Sequence, residues 1–226
     1  MMIARIDIFN NKDEISSDTF RKHLNEHEVN MSQMGGFQKY AQNYVVESTQ
    51  PSGLGNEDYP RSSERVDAFS KIWFDDRSSA EKALNFNAID TLNRNDMGDL
   101  KSVVTKQNIV IPTVEDKGIY KMMQVLKRPV DVSPEKFEYE WCKVHAEMVP
   151  HTFPGVLGYT QNLVLNRSIS GEFVPYEELP IDGIVEFWFK DKESMDTAFS
   201  APTAIKAIDH ARVFIDTIST FTIESK

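Results

Sequence analysis

The sequence predicts an α+β protein in which one domain occurs twice. Residues 17–29 return in altered form as residues 133–149. A strand-like run that ends in Trp-Phe occurs over residues 67–74 and again over residues 182–189. The chain has 226 residues, and this length fits two domains of about 110 residues that each bury a modest core. Self-similarity on this scale indicates two copies of a domain and not a solenoid, whose repeats are shorter.

Both halves open with a strand and a helix. Apolar and polar residues alternate over 3–9 and again over 120–126, which is the pattern of a strand. Ser17 and Ser133 stand at the helix N-cap position, and Pro134 occupies the favoured first helical position. The inward stripes of the two helices, each with a histidine, are Phe20, Leu24, His27 and Met31, and Phe137, Trp141, Val144, His145 and Met148.

The remaining elements follow in the same order in each half. Strands are predicted over 36–48, 67–74 and 103–111 and over 155–166, 182–189 and 213–223, with helices over 78–92 and 192–208. Pro202 predicts a break inside the last helix. The resulting order β-α-β-β-α-β is the ferredoxin-like arrangement. The predicted domains are residues 1–112 and 118–226, joined by a linker over 113–117.

The bulk properties argue against several classes of function. A formal charge of −10 without a basic cluster is unlike a nucleic-acid-binding protein, which uses Lys and Arg to neutralise phosphates. Cys142 is the single cysteine, so neither an intrachain disulfide nor a cysteine-based metal site can form. The sequence shows no signal peptide and no run of about 18 apolar residues that could span a membrane. We therefore expect a cytoplasmic protein without nucleic-acid or membrane partners.

A long loop rich in Gly and Pro separates the second and third predicted strands of each half. It covers residues 49–65 in the first half and 167–180 in the second. Loops of this length in compact domains are often lids or binding loops. A variable surface insertion is the alternative, and the sequence leaves both open.

The second half resembles the EthD family. The resemblance covers residues 118–226 and is carried by several motifs in order: Lys127-Arg128-Pro129, Ser133-Pro134-Glu135, Phe137, Trp141, His145-Ala146-Glu147-Met148-Val149, Pro154-Gly155, Tyr159, Asp182-Gly183 and Glu186-Phe187-Trp188-Phe189. The first half resembles a diverged copy, with Leu24 in place of the helix tryptophan and one residue fewer before His27. Only the second half is therefore expected to carry a competent site.

The resemblance implies both an architecture and a type of site. EthD proteins belong to the dimeric α+β barrel superfamily, so the two ferredoxin-like repeats are expected to pack sheet to sheet as a pseudo-dimeric α+β barrel. The family includes polyketide dehydratases and proteins associated with ether degradation, and the superfamily includes cofactor-free monooxygenases, isomerases and haem-degrading enzymes. The fold therefore does not fix the chemistry. The resemblance implies a small apolar cavity in each unit, often with the helix histidine in it.

Three residues are the predicted catalytic group. His145 is the predicted general base, because a neutral imidazole beside aromatic side chains can accept a proton from an acidic carbon or phenol. Tyr159 is expected to orient a substrate oxygen, and Asp182 to hold the tautomer of the histidine. Each residue has a structural alternative. For His145 it is a core histidine bonded to a backbone carbonyl, for Tyr159 it is packing at a strand edge, and for Asp182 it is a turn residue before Gly183.

The predicted function is that of a cofactor-independent dehydratase, isomerase or cyclase that acts on a hydrophobic oxygenated compound such as a polyketide, phenol or lactone. The residues expected to contact this substrate are Trp141, Met148, Phe153, Trp188, His27 and Tyr40. The alternative is a non-catalytic metabolite-binding or accessory protein, and a haem-degrading or peroxidase-like role is third. The assembly is expected to be a monomeric pseudo-dimer or a homodimer of it.

Two further patterns give specific hypotheses. His23-Leu-Asn-Glu26-His27 spells H-x-x-E-H, the inverted zinc-protease signature, but no third ligand is evident and we predict no metal site. Lys71 and Glu186 lie on the third predicted strand of the first and the second half, respectively. Both point to the face that a closed barrel would bury. They are predicted to pair across the pseudo-twofold axis.

Overall fold

The computed structural model describes most of the chain. The described residues are 2–12, 15–48, 50–51, 54, 65–85, 97–113 and 119–226. Most of the predicted linker, most of the first-half loop over 49–65 and the end of the helix predicted over 78–92 lie outside them.

Nine strands and six α-helices are found in the described part of the chain. The strands are β1 (Met2–Phe9), β2 (Phe37–Glu47), β3 (Ala68–Phe74), β4 (Lys101–Ile111), β5 (Tyr120–Lys127), β6 (Gly158–Ile169), β7 (Glu172–Phe173), β8 (Gly183–Phe189) and β9 (Thr217–Ser225). The helices are α1 (Ser17–Ser32), α2 (Arg77–Leu84), α3 (Pro134–Tyr139), α4 (Ala146–Thr152), α5 (Lys192–Ser200) and α6 (Ala204–Ala211), with a π-helical segment (Glu140–His145) between α3 and α4. None of these helices is long and apolar enough to cross a membrane.

The predicted fold class is wrong, because the strands form one closed sheet. We expected two ferredoxin-like repeats packed sheet to sheet as a pseudo-dimeric α+β barrel. Instead, eight antiparallel strands are hydrogen-bonded in the order β4-β1-β3-β2-β9-β5-β8-β6, and β6 pairs with β4 to close the barrel. The physical reason lies at the strand edges: β2 with β9 and β4 with β6 satisfy backbone groups that two separate sheets would leave unpaired.

Apolar side chains form three clusters around the barrel wall. One contains strand and loop residues but no helix residue, among them Phe69, Met123 and Phe221, and it fills the barrel interior. The other two lie between the outer face of the wall and the helices, one in each half. The two faces of β3 alternate accordingly: Ala68 and Ile72 pack under the helices, and Lys71 lies on the buried interior face, as predicted.

One end of the barrel interior is charged. Glu186 accepts a hydrogen bond from Lys71, as the sequence predicted, and Lys121 Nζ lies 2.8 Å from Glu186 Oε2. Asn162 Nδ2 donates to Glu186 Oε1 at 3.0 Å, and Asn43 Oδ1 accepts from Lys121 Nζ at 2.8 Å. These five residues, called the barrel ion cluster below, join strands of both halves.

Local sequence signals explain where the helices begin and break. Ser133 caps α3 by accepting from Lys136 N at 3.2 Å, as predicted. The cap of α1 is Ser16 and not Ser17, because Ser16 Oγ accepts from Thr19 N at 3.2 Å. The predicted break at Pro202 is confirmed, since it falls between α5 and α6.

Candidate active site

The helix histidines of the two halves lie in two different polar clusters. The His145 cluster consists of Glu140, His145, His210 and Phe214. The Tyr40 cluster consists of Arg5, Asp7, His27, Tyr40 and Ser70. Both are built on the helix-facing side of the barrel wall.

In the His145 cluster, a second histidine links His145 to a carboxylate. Nδ1 of His145 lies 3.4 Å from Nδ1 of His210, and Nε2 of His210 lies 3.2 Å from Oε2 of Glu140. The two imidazole rings are stacked, with centroids 5.6 Å apart and planes 15° apart. His145 thus contacts the side chain of His210, whereas a purely structural histidine would be bonded to a backbone carbonyl.

The carboxylate determines the arrangement of protons along this chain of contacts. Glu140 accepts at Oε2, and a hydrogen on Nε2 of His210 leaves its Nδ1 as an acceptor. His145 then donates from Nδ1, which leaves its Nε2 unprotonated. Nε2 of His145 is therefore the nitrogen available to take a proton.

Burial keeps His145 neutral. The side chain is buried against Phe214, whose ring centroid lies 5.4 Å away in an edge contact. Burial, with a smaller contribution from His210, lowers the pKa of His145 to about 3. The acceptor form is thus present throughout the physiological pH range.

The π-helical segment places Glu140 and His145 on one side of the helix. Five residues apart, they would diverge on an α-helix, but a π-turn has i→i+5 geometry. The second half has one residue more than the first between its phenylalanine and its histidine, and this wide turn holds the additional residue. Gln161 fixes the turn by donating to the Trp141 carbonyl at 2.7 Å. π-Turns of this kind often occur at functional sites.

The low pKa of His145 predicts a specific acid sensitivity. Between about pH 6.5 and about pH 3 the unfolded chain binds a proton at this position while the native state does not. Stability should therefore fall as the pH is lowered through this window. We expect the urea midpoint of wild type to fall more steeply than that of His145→Gln. Parallel curves for the two proteins would contradict the buried, neutral state of His145.

The structure does not bring the three predicted catalytic residues together. Tyr159 is buried on β6, where its hydroxyl accepts from Gln161 Nε2 at 3.0 Å and its ring packs on Phe187. Burial raises the pKa of Tyr159 far above its ordinary value. Its hydroxyl thus supports the helix that carries His145 and has no contact with the imidazole.

Asp182 has partners of its own. Arg128 Nε lies 2.9 Å from Asp182 Oδ1, and the Tyr176 hydroxyl donates to Oδ2 at 2.8 Å. Arg167 lies over the same tyrosine ring at 5.3 Å. Asp182 therefore holds the loop before β8 against the barrel and does not orient His145.

The predicted substrate-contacting residues divide between the two faces of the wall. Trp141, Met148 and Phe153 belong to or pack against the helix-side cluster of the second half. Trp188 points to the other face, where Lys121 Nζ lies 5.1 Å from its ring centroid. The barrel wall thus separates Trp188 from the His145 cluster.

In the Tyr40 cluster, His27 and Tyr40 are in direct contact. His27 Nδ1 lies 2.8 Å from the Tyr40 hydroxyl oxygen, and His27 Nε2 lies 3.1 Å from Asp7 Oδ2. Arg5 Nε donates to Asp7 Oδ1 at 2.6 Å. Ser70 Oγ donates to Asp7 Oδ2 at 3.1 Å.

The charges of this cluster are fully buried but paired. Burial alone would favour the neutral acid, yet Arg5 and His27 hold the pKa of Asp7 well below its usual range. Burial lowers the pKa of His27 in spite of Asp7. The resting cluster therefore contains a carboxylate, a guanidinium and a neutral imidazole.

The H-x-x-E-H letters do not form a metal site in this structure. The nitrogens of His27 face Asp7 and Tyr40, and Glu26 lies 3.6 Å from His23. Among the described residues, no group of three or more His, Cys, Asp or Glu side chains could hold a metal ion.

Five polar residues of the two clusters were missed by the sequence analysis: Arg5, Asp7, Ser70, Glu140 and His210. A signal for the first two was present. By strand register, Arg5 and Asp7 correspond to Met122 and Gln124 in the second half, so one copy has charges where the other has none. His210 gave no such signal, because its partner lies 65 residues away in sequence.

Cys142 lies on the same π-helical segment but is not a candidate nucleophile. Burial raises the pKa of its thiol to about 12. The reactive thiolate is therefore not formed at neutral pH.

Comparisons with known proteins agree with this architecture. Residues 130–218 match the family model of the EthD domain. No curated protein matches the chain significantly. Solved structures that match over 98–99% of this chain and 91–93% of theirs include a candidate monooxygenase from Lactobacillus acidophilus (12% identity, TM-score 0.56), a chlorite dismutase mutant from Candidatus Nitrospira defluvii (10%, 0.55) and a variant of DypB from Rhodococcus jostii in complex with heme (10%, 0.51).

At these identities the structural likeness concerns the fold alone. The family match is independent of it and covers the segment with Trp141, His145 and Asp182. It also includes both histidines of the His145 cluster. Over residues 130–218, this chain is therefore similar to the EthD domain.

Proposed function

We propose that this protein is a cofactor-independent enzyme that abstracts a proton from a small oxygenated molecule, with His145 as the general base. The observation that carries the proposal is the contact chain from Glu140 through His210 to His145. It lies within the EthD domain and leaves Nε2 of His145 as an unprotonated acceptor.

The proton transfer can be followed along this chain. Nε2 of His145 takes a proton from a carbon or hydroxyl of the substrate, and the bonding electron pair stays on the substrate as an enolate or phenolate. His145 becomes an imidazolium that still donates from Nδ1 to His210. The negative charge of Glu140, at the far end, offsets part of the new positive charge.

The low pKa of His145 restricts the substrate. A weak base removes only a relatively acidic proton at a useful rate. A carbon between two carbonyl groups, as in polyketides, or a phenol meets this requirement. The apolar surroundings of His145, with the Phe214 ring centroid 5.4 Å away, favour a hydrophobic compound of that kind.

A non-catalytic role for the same domain predicts a different result. A histidine that only supports the core needs neither a carboxylate-linked partner nor a π-turn to place it. Proton exchange separates the two roles without knowledge of the natural substrate.

The test is the rate at which ethyl acetoacetate exchanges its acidic protons in D₂O, followed by NMR. We expect His145→Gln to lower the protein-catalysed rate by about tenfold or more, since general bases contribute about 10²–10⁴-fold. His151→Gln is the matched control, because His151 is exposed on the adjoining helix α4 and its replacement should leave the rate unchanged.

Two outcomes would count against the proposal. Equal exchange by wild type and His145→Gln would remove His145 as the base. Activity that appears only after addition of haem, together with a haem spectrum that is lost in His145→Gln, would make the histidine a haem ligand instead.

A further inference from the structure

We infer that the first half holds a second, separate proton-transfer site, in which Tyr40 contacts the ligand and passes its proton to His27. The site would take an uncharged phenol or carbonyl compound. It goes beyond the proposed function, which concerns the other half and a different acting group.

The contacts of the Tyr40 cluster fix the direction of transfer. Asp7 is a carboxylate held by Arg5 at 2.6 Å, and His27 Nε2 lies 3.1 Å from Asp7 Oδ2. A nearby carboxylate favours the tautomer with the hydrogen on the nitrogen closest to it, and we assign the hydrogen to Nε2 on that ground. Nδ1 is then an acceptor, and it lies 2.8 Å from the Tyr40 hydroxyl. Tyr40 thus donates to His27 at rest. Hydroxyl, imidazole and carboxylate follow one another here in the order found in catalytic triads.

Only one residue of the relay has exposed surface. Asp7 and His27 have none, whereas Tyr40 on β2 is partly exposed. Burial raises the pKa of the Tyr40 hydroxyl well above its ordinary value, so the hydroxyl keeps its proton at rest. A ligand that binds here therefore meets the tyrosine and not the imidazole.

The fold does not require these charges. At the positions that correspond by strand register, the second half has Met122 for Arg5, Gln124 for Asp7 and Val185 for Ser70. The same barrel is built there without an ion pair. Buried charges are costly to desolvate, and titratable groups shifted by burial and specific partners cluster at functional sites.

The step balances within the cluster. As the Tyr40 oxygen takes a proton from the ligand, the proton of the tyrosine passes to His27 Nδ1. The ligand keeps the electron pair as an enolate or phenolate. His27 becomes positive beside Asp7, and the charges of Arg5 and Asp7 cancel at rest, so an uncharged ligand fits the site best.

The test uses full-length His145→Gln, in which the site of the proposed function is removed. We expect residual exchange of ethyl acetoacetate in this variant. Adding Tyr40→Phe to it should abolish this residual exchange. Tyr44→Phe, on the same strand, is the control and should leave it intact. Residual exchange that survives Tyr40→Phe would overturn the inference.

A second measurement does not depend on any variant being folded. In wild type, the ¹⁵N NMR signals of His27 should show hydrogen on Nε2, and 4-nitrophenol should shift its Nδ1 signal on binding. A hydrogen on Nδ1, or no response to the phenol at saturation of the protein, would overturn the inference. Loss of exchange in Tyr40→Phe but not in His145→Gln would refute the proposed function alone.

Discussion

Replacing Glu186 with glutamine is expected to lower the free energy of unfolding by about 3–5 kcal/mol. The carboxylate is buried between Lys71 and Lys121 in the barrel ion cluster. Burial alone would raise its pKa, yet the two lysines hold the pKa of Glu186 far below the ordinary value. Without the carboxylate, two buried ammonium groups would face each other with no counter-ion.

An exposed ion pair gives the matched control. Arg21 and Glu224 lie 3.1 Å apart, with side chains 47% and 59% exposed. Glu224→Gln should cost less than about 1 kcal/mol, because water screens the pair. Urea unfolding of both variants measures the difference. Equal, small losses would show that the barrel ion cluster does not hold the closed barrel together.

The second large effect concerns a glycine that makes room for a tryptophan. A Cβ atom on Gly183 would lie 2.3 Å from the buried ring of Trp141, so Gly183→Ala must displace the ring. In the first half the corresponding residues are Ala68 and Leu24, a larger strand residue with a smaller helix residue. We expect Gly183→Ala alone to cost about 1–3 kcal/mol through overpacking.

A double-mutant cycle tests this complementarity. Trp141→Leu alone should leave a cavity, and its cost should be about 2–5 kcal/mol. Combined with Gly183→Ala it reproduces the pair of the first half, so the double variant should lose clearly less than the sum of the single losses. Additive losses would contradict the contact between the glycine and the ring.

The elements of the fold could be predicted because their signals are local. The alternation in β1 and β5, the cap at Ser133 and the break at Pro202 each depend on a few neighbouring residues. The closure of the barrel could not, because the pairings of β2 with β9 and of β4 with β6 join distant parts of the chain. Backbone hydrogen bonds at strand edges leave no mark in hydrophobic periodicity. The Lys71 to Glu186 pair was predictable because two charges on an otherwise apolar strand face need a partner.

The candidate site was only partly predictable for the same reason. The position of His145 follows from helical spacing, whereas His210 comes from a separate helix and meets it only in the folded chain. The single additional residue before His145 was visible in the sequence, but its effect, a π-turn that aligns Glu140 with the histidine, was not. Asp182 was placed in the site because a carboxylate often orients histidine, and its pairing with Arg128 depends on loop geometry.

The pH dependence of exchange at His145 tests the central claim most directly. The rate of wild type minus that of His145→Gln gives the part that depends on this residue. Because burial lowers the pKa of His145 to about 3, this difference should stay constant as the pH falls from about 7 to about 5, across the ordinary histidine pKa of about 6.5. A decline with a midpoint near 6.5, or no difference between the two proteins at any pH, would contradict the assignment of buried, neutral His145 as the base.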